Sequence, residues 1–247
     1  MTEKLQKILA NAGLGSRRQI EEWIREGRVT VNRKTATIGD RATLSDKIAV
    51  DGQEVKLIKS QEQKSRVLLY HKPEGQICTR KDPENRPSIF ENLPPIRNAR
   101  WIIVGRLDLN TSGLLLVTND GALANHLMHP SSEIEREYAV RVRGDINAET
   151  LGRLSRGVML EDGVARFKEI IEAGGKGSNQ WYHVTVTEGR NRLVRRMFES
   201  QRCQVSRLMR IRFGTILLPK GLREGHCLEL TAEEVRELKT LGSAIIK

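Results

Sequence analysis

Aromatic residues are scarce in this sequence. Three Trp, three Tyr and four Phe make up 4% of its 247 residues. That is too few for the stacking platforms that grip single strands without sequence preference. Cysteine is scarcer still: Cys78, Cys203 and Cys227 are odd in number, far apart and form no C-x-x-C pair. They read as reduced packing thiols of a cytosolic protein rather than a disulfide framework. No apolar run approaches membrane-spanning length, and Met1-Thr2-Glu3-Lys4-Leu5 holds no apolar signal core, so no membrane partner is expected. Dinucleotide fingerprint, phosphate loop, HExxH and the zinc-deaminase HxE with PCxxC are all missing. His126 and His129 have no further ligands nearby and read as ordinary helix and turn residues. Gly174-Gly175-Lys176-Gly177-Ser178 lacks the Gly-Lys-Ser/Thr order and a following helix, so it reads as a hairpin turn. Neither a cofactor nor a metal is expected.

Negative charge is also in short supply. With 31 Asp+Glu against 42 Lys+Arg, the formal net charge is +11, and a polyanion is the expected partner. The excess is local: the window Arg190 to Arg212 holds eight arginines, no lysine and one acid, Glu199. Helical spacing puts Arg192, Arg195, Arg196 and Glu199 on one side and Leu193, Val194, Met197 and Phe198 on the other, which is expected to be buried. Arginine in place of lysine favours forked hydrogen bonds to phosphate or carboxylate.

Along the chain, Leu5, Ile8, Leu9 and Ala12 recur at helical spacing up to Gly13-Leu14-Gly15. Ser16 with Gln19 opens a second helix, whose apolar stripe is Ile20, Trp23 and Ile24 and whose cap is Gly27. Arg28 to Asn32 and Ile48 to Gly52 read as strands. Residues 1–60 thus form a compact module, 61–65 a polar linker, and 66–247 a larger, strand-rich domain. There, Lys72-Pro73-Glu74-Gly75 makes a turn, and Lys81 to Pro87 is irregular and a candidate mobile loop. Tyr138 to Val142 alternates as a half-buried strand. Asn147 starts a helix that ends at Gly157, and Thr231 with Glu234 opens a last one.

The chain is organised around Gly105-Arg106-Leu107-Asp108-Leu109-Asn110-Thr111-Ser112-Gly113-Leu114-Leu115-Leu116-Val117. This polar loop carries one carboxylate and is held between apolar strands, Trp101 to Val104 and Leu114 to Val117. By spacing alone, Asp108 would cap a turn, as most loop aspartates do. But Gly-Arg-Leu-Asp, followed by Ser-Gly-Leu-Leu-Leu and Asn-Asp-Gly, resembles without departure the catalytic signature of the RsuA/RluB family of RNA pseudouridine synthases. The N-terminal module resembles the alpha-L RNA-binding module first seen in ribosomal small-subunit protein four. The likeness rests on Leu5, Lys7, Leu9, Ala12-Gly13, Ser16-Arg17-Arg18, Gly27-Arg28-Val29 and Val31-Asn32.

The resemblance implies an α+β protein, with a small N-terminal RNA-binding module and a synthase domain built on a mixed, largely antiparallel sheet. It implies that Asp108 is the catalytic aspartate and that Arg195, aligned to Arg-x-x-Arg-Arg, pairs with it. It also implies that Tyr138 stacks on an everted uracil, although the strand pattern alone would make Tyr138 a core aromatic. Two positions depart from many relatives: Leu193 stands for Gln and Arg136 for Lys. Candidate RNA contacts are Arg17, Arg18, Arg25 and Arg28 in the module, and Arg106, Arg190, Arg192 and Arg196 in the larger domain. The order Lys72-Pro73-Glu74-Gly75 to Phe90-x-x-Leu93-Pro94 is closest to the RluB branch. The expected substrate is therefore a structured stem-loop of large-subunit 23S ribosomal RNA, modified in the cytoplasm by a monomer. The alternatives are an RsuA-like enzyme acting on small-subunit RNA and a ribosome-associated binder without catalysis.

Overall fold

In the computed structural model, described for residues 2–57, 64–80, 82–176 and 179–242, the chain divides into two compact units. The first comprises Met1–Arg66 together with Pro94–Ile102 and Thr118–Gly121. Its helices are α1 (Leu5–Asn11) and α2 (Arg17–Arg25). The Ser16 hydroxyl accepts the Gln19 amide at 3.1 Å, the first half of the expected capping box. Gly27 stands just past the end of α2 at φ +72°, a conformation that needs no Cβ. Strands β1 (Val29–Val31), β2 (Lys34–Thr35), β3 (Ile48–Val50) and β4 (Gln53–Glu54) form an antiparallel sheet in the order β2-β1-β3-β4. Leu5, Leu9, Ile20, Val29 and Ile48 are fully buried between helices and sheet. The apolar stripes found at helical spacing are thus the faces that meet.

The second unit is built on a nine-stranded sheet. Its path uses β5 (Val67–Lys72), β6 (Ser112–Thr118), β7 (Arg136–Arg143), β10 (Glu169–Lys176), β11 (Asn179–Val186), β12 (Gln204–Phe213) and β13 (Cys227–Glu229). Between β7 and β10 lies a separate hairpin, β8 (Val158–Leu160) and β9 (Gly163–Ala165). The order is β10-β11-β7-β12-β6-β5-β13, with two short strands branching from β12 and β6. The pairs β10–β11, β11–β7, β7–β12 and β5–β13 are antiparallel, whereas β12 and β6 are parallel, with Met209 facing Ser112 and Arg210 facing Gly113. The sheet is mixed and largely antiparallel, as expected. Strands β10 and β11 run back on each other with Lys176 opposite Asn179; Gly177 and Ser178, the expected turn, lie outside the described residues, as do residues 61–63 of the linker and Lys81.

Helices α3 (Gly121–Met128), α4 (Ala148–Arg156), α5 (Leu193–Glu199) and α6 (Ala232–Thr240) complete the fold. Asn147 caps α4 and Thr231 with Glu234 boxes α6, where the sequence placed them. Phe198 of α5 packs on Phe167 and Tyr182, with ring centroids 5.4 and 6.3 Å away, and seals the core over β7, β11 and β12. The burial of Val140, Val142, Val184 and Leu208 around these rings adds apolar stabilisation to this unit. Among the described residues, no helix is long and apolar enough to cross a membrane.

The contact between β6 and β12 is unusually close. Gly113 sits at φ +104°, and a Cβ there would lie 2.3 Å from the Arg210 carbonyl oxygen and 2.7 Å from its amide nitrogen. Both objections involve backbone, so neither can be relieved by a rotamer change. Gly113→Ala is expected to lower unfolding free energy by about 3 kcal/mol, read as a drop in Tm. A variant as stable as the parent would contradict this packing.

Candidate active site

The loop from Gly105 to Thr111 leaves its strands with no regular structure, yet its carbonyls from Leu107 to Thr111 are all engaged. Five consecutive carbonyls each accept a hydrogen bond. Leu107 takes the Cys78 thiol at 3.4 Å, and Asp108 the Thr111 amide at 3.0 Å. Leu109 takes the Gly75 amide at 2.9 Å, and Asn110 the Arg195 Nη2 at 2.7 Å. Thr111 takes the Lys72 Nζ at 2.9 Å. Such a census leaves the loop little freedom to drift, while the half-buried Asp108 side chain faces a cavity of about 300 Å³.

Lys72 does most of this work. It ends β5, is 0% exposed, and donates to the carbonyls of Pro73 (2.9 Å), Asp108 (3.1 Å) and Thr111 (2.9 Å), with Leu109 more distant at 3.5 Å. An ammonium has three protons, and three carbonyls stand at good distance. Burial pushes its pKa down, opposed by negative charge at Cys78, Glu74, Asp108 and Glu224. In the sequence, Lys72 was read only as the start of a turn. The overlooked signal was a lysine closing an otherwise buried strand, Val67-Leu68-Leu69-Tyr70.

Tyr138 lies on β7, half-buried, opposite Val184 of β11 and Arg210 of β12. A register shift between Glu137 and Tyr138 re-aims the strand at this point. Asp108 and Tyr138 line the same cavity, with apolar walls from Leu107, Leu193 and Phe213.

Arg195 departs from its expected place. Helical spacing put it on the exposed stripe of α5, but it is 6% exposed and points inward. The helix is short and buried on most sides, and Arg192 stands before it as a left-handed cap at φ +49°. The Arg195 guanidinium donates to the carbonyls of Val205 (3.0 Å) and Asn110 (2.7 Å), and its Nε is buried without a partner. It makes no ion pair with Asp108 among the described residues; the backbone of the Asp108 loop is what it holds. The two charges still sense each other. Burial lowers the arginine's pKa, the Arg192 cation adds to that, and Asp108 opposes it.

The rest of the arginine window is not one face either. Arg196 forks onto Asp162 at 2.9 and 2.8 Å, and Arg190 binds Asp162 and both oxygens of Glu188. Arg212 pairs with Glu137 and Glu135, and Arg210 is 2% exposed inside the cavity wall. Arg106 is exposed and Arg192 touches Glu199 only at 3.9 Å, so these two are the more open cations at the cavity rim. In the first unit, Arg17, Arg18 and Arg25 are exposed on α2, whereas Arg28 forks onto Asp51 at 2.8 and 2.7 Å and lies over Trp23. His126 binds the Leu241 carbonyl and His129 caps a short turn; no metal-binding cluster exists among the described residues.

A half-buried carboxylate and a tyrosine share a polar-rimmed cavity on a basic chain with a separate small unit, an arrangement suited to an enzyme that acts on a nucleic acid. The family model for RNA pseudouridylate synthase matches residues 66–200, and that for the S4 domain residues 3–48. The ribosomal large subunit pseudouridine synthase B of Salmonella typhimurium is 58% identical over 243 residues, covering 98% of this chain and 84% of that protein. That of Haemophilus influenzae is 58% identical over 241 residues, covering 97% and 68%. A solved pseudouridylate synthase superposes with a TM-score of 0.66 at 25% identity, covering 95% of this chain and 99% of the other. The chain therefore belongs to the RNA pseudouridylate synthase family.

Lys72→Met would leave the Thr111 and Pro73 carbonyls without their donor. The expected cost is about 2 kcal/mol, with hydrogen exchange accelerated at residues 107–111. Because burial lowers the Lys72 pKa, the unfolded chain holds an extra proton between the folded value and that of a free lysine. This group's share of stability therefore rises with pH across that interval and is lowest below it. Alkaline titration of stability should contain this rise in the parent and lack it in Lys72→Met; identical curves would contradict a buried ammonium.

Proposed function

We propose that the chain isomerises uridine to pseudouridine in large-subunit ribosomal RNA. The observation that carries this reading is the Asp108 carboxylate, presented to a cavity by a loop whose five neighbouring carbonyls are all tied down. The names of the relatives support the large subunit over the small one.

The reaction breaks the bond between ribose C1′ and uracil N1, turns the ring, and joins C1′ to C5. The hydrogen on C5 leaves to solvent and N1 gains a proton, so atoms balance and nothing is oxidised. A carboxylate serves as nucleophile or as base in such glycosidic chemistry, provided it is placed to within tenths of an ångström. A uridine in a folded RNA must first leave its stack, and Tyr138 supplies the ring on which it rests. Arg195 acts in two ways: it anchors the loop through Asn110, and it lends positive charge to the field at Asp108.

Affinity for RNA comes from phosphate contacts. Exposed Arg17, Arg18 and Arg25 suit that task on the module, taken as residues 1–60 and joined through 61–65 to the synthase domain, 66–247. Arg106 and Arg192 suit it at the cavity rim. Arg28, Arg190 and Arg196 are spoken for by carboxylates and serve RNA only as part of those pairs. In this reading the protein works as a monomer in the cytoplasm.

Large-subunit RNA made with tritium on carbon 5 of uridine supplies the test. The parent protein is expected to release tritium, and Asp108→Asn to be slower by roughly a thousandfold while still binding the RNA. Release by the asparagine variant at the parent rate, or none by the parent, would sink the proposal.

A further inference from the structure

The cavity holds two arginines for which the proposed chemistry has so far found no use. Arg210, at 2% exposure, donates its Nε to the Leu114 carbonyl at 2.7 Å, and its Nη2 is buried with no partner. Arg136, two residues before Tyr138 on β7, gives its Nη1 to the carbonyls of Ile134 (3.1 Å) and Thr187 (3.0 Å). The two guanidinium carbons lie 5.2 and 5.4 Å from the centroid of the same ring, Phe213. Both side chains line the cavity that Asp108 and Tyr138 face.

Neither cation has a carboxylate within ion-pairing distance among the described residues. The Asp108 carboxylate lines the same cavity but pairs with neither cation among the described residues, and the other acids nearby are already taken. Glu137 and Glu135 hold Arg212 at 2.7 and 3.1 Å, and Glu188 holds Arg190 at 2.6 Å. Burial lowers the Arg136 pKa, and the charge of Arg210 lowers it further. Two like charges lining one cavity, one of them with an unused buried donor, are a liability unless negative charge balances them.

We propose that Arg136 and Arg210 form a phosphate-binding subsite within the Asp108 cavity, which takes a phosphodiester flanking the target uridine. This deepens the isomerase reading and rests on it. A uracil carbonyl would satisfy the orphan Nη2 but leave both charges unanswered. A phosphodiester brings a full negative charge and several acceptors, matching the guanidinium forks. The subsite fixes the sugar of the everted nucleotide next to the carboxylate, while Tyr138 holds the base. Arg136 and Arg210 are thus substrate-positioning residues.

The test uses the uridine that mapping assigns to this protein, in an RNA fragment carrying one neutral methylphosphonate, placed on either side of it or at a distant control position. With the parent protein, one of the two flanking substitutions is expected to weaken binding about tenfold, and the control to have little effect. The log–log salt dependence should lose about one unit of slope. With Arg136→Gln, native and neutral RNA should bind alike. Loss of the Nε bond to Leu114 would disturb folding in Arg210→Met, so the parent protein with altered RNA carries the decision. Native RNA converted while both flanking substitutions bind as tightly as the control overturns the subsite alone. Native RNA left unconverted overturns the isomerase reading beneath it.

Discussion

Two buried cations donating to the backbone of one loop are the constraint on which the rest depends. Lys72 and Arg195 arrive from different elements, the end of β5 and the middle of α5, and grip the Asp108 loop at Asp108, Thr111 and Asn110. A buried charge is costly unless its donors are used, and here carbonyl oxygens use them at Lys72 and at both terminal nitrogens of Arg195, leaving only the Arg195 Nε unpartnered. The bond is reciprocal: a loop of polar backbone packed against apolar strands needs donors as much as the cations need acceptors. This mutual need leaves the Asp108 side chain free and its main chain fixed, the division that chemistry at a glycosidic bond demands.

The sheet supplies the frame. The parallel contact between β6 and β12 brings Gly113 against the Arg210 backbone with no room for a Cβ. That closeness sets Arg210 in the wall of the cavity and opposite Tyr138 on β7. The strand leaving the Asp108 loop and the strands bearing Tyr138 and Arg210 are therefore neighbours in one sheet, and their relative positions follow from backbone ladders. Side chains set on strands in this way are placed more firmly than side chains on loops.

Much of this was legible in the sequence because it is local. The caps at Ser16, Asn147 and Thr231, the apolar stripes of α1 and α2, and the loop between two apolar strands are all written in residues a few positions apart. The arginine window was not legible, because what decides each arginine's role is distant in the chain. Asp162 answers Arg190 and Arg196, and Glu135 and Glu137 answer Arg212. Counting one acid within the window could not find them. Helical spacing placed Arg195 outside because it assumed a longer, one-sided helix. Lys72 was hidden for the opposite reason: its partners are carbonyls, which sequence does not distinguish. The compact units are also discontinuous, with 94–102 and 118–121 joining the N-terminal one, an arrangement that no single linear boundary expresses.

The account's central claim is that the oxygen pair at position 108 makes pseudouridine in the large ribosomal subunit. The most direct measurement is a map of pseudouridine in ribosomal RNA from cells lacking this gene, complemented with the parent or with Asp108→Asn. The account predicts a large-subunit position that loses the modification on deletion, regains it with the parent, and stays uridine with the variant. A map unchanged by deletion, or one restored by the asparagine form, would contradict it.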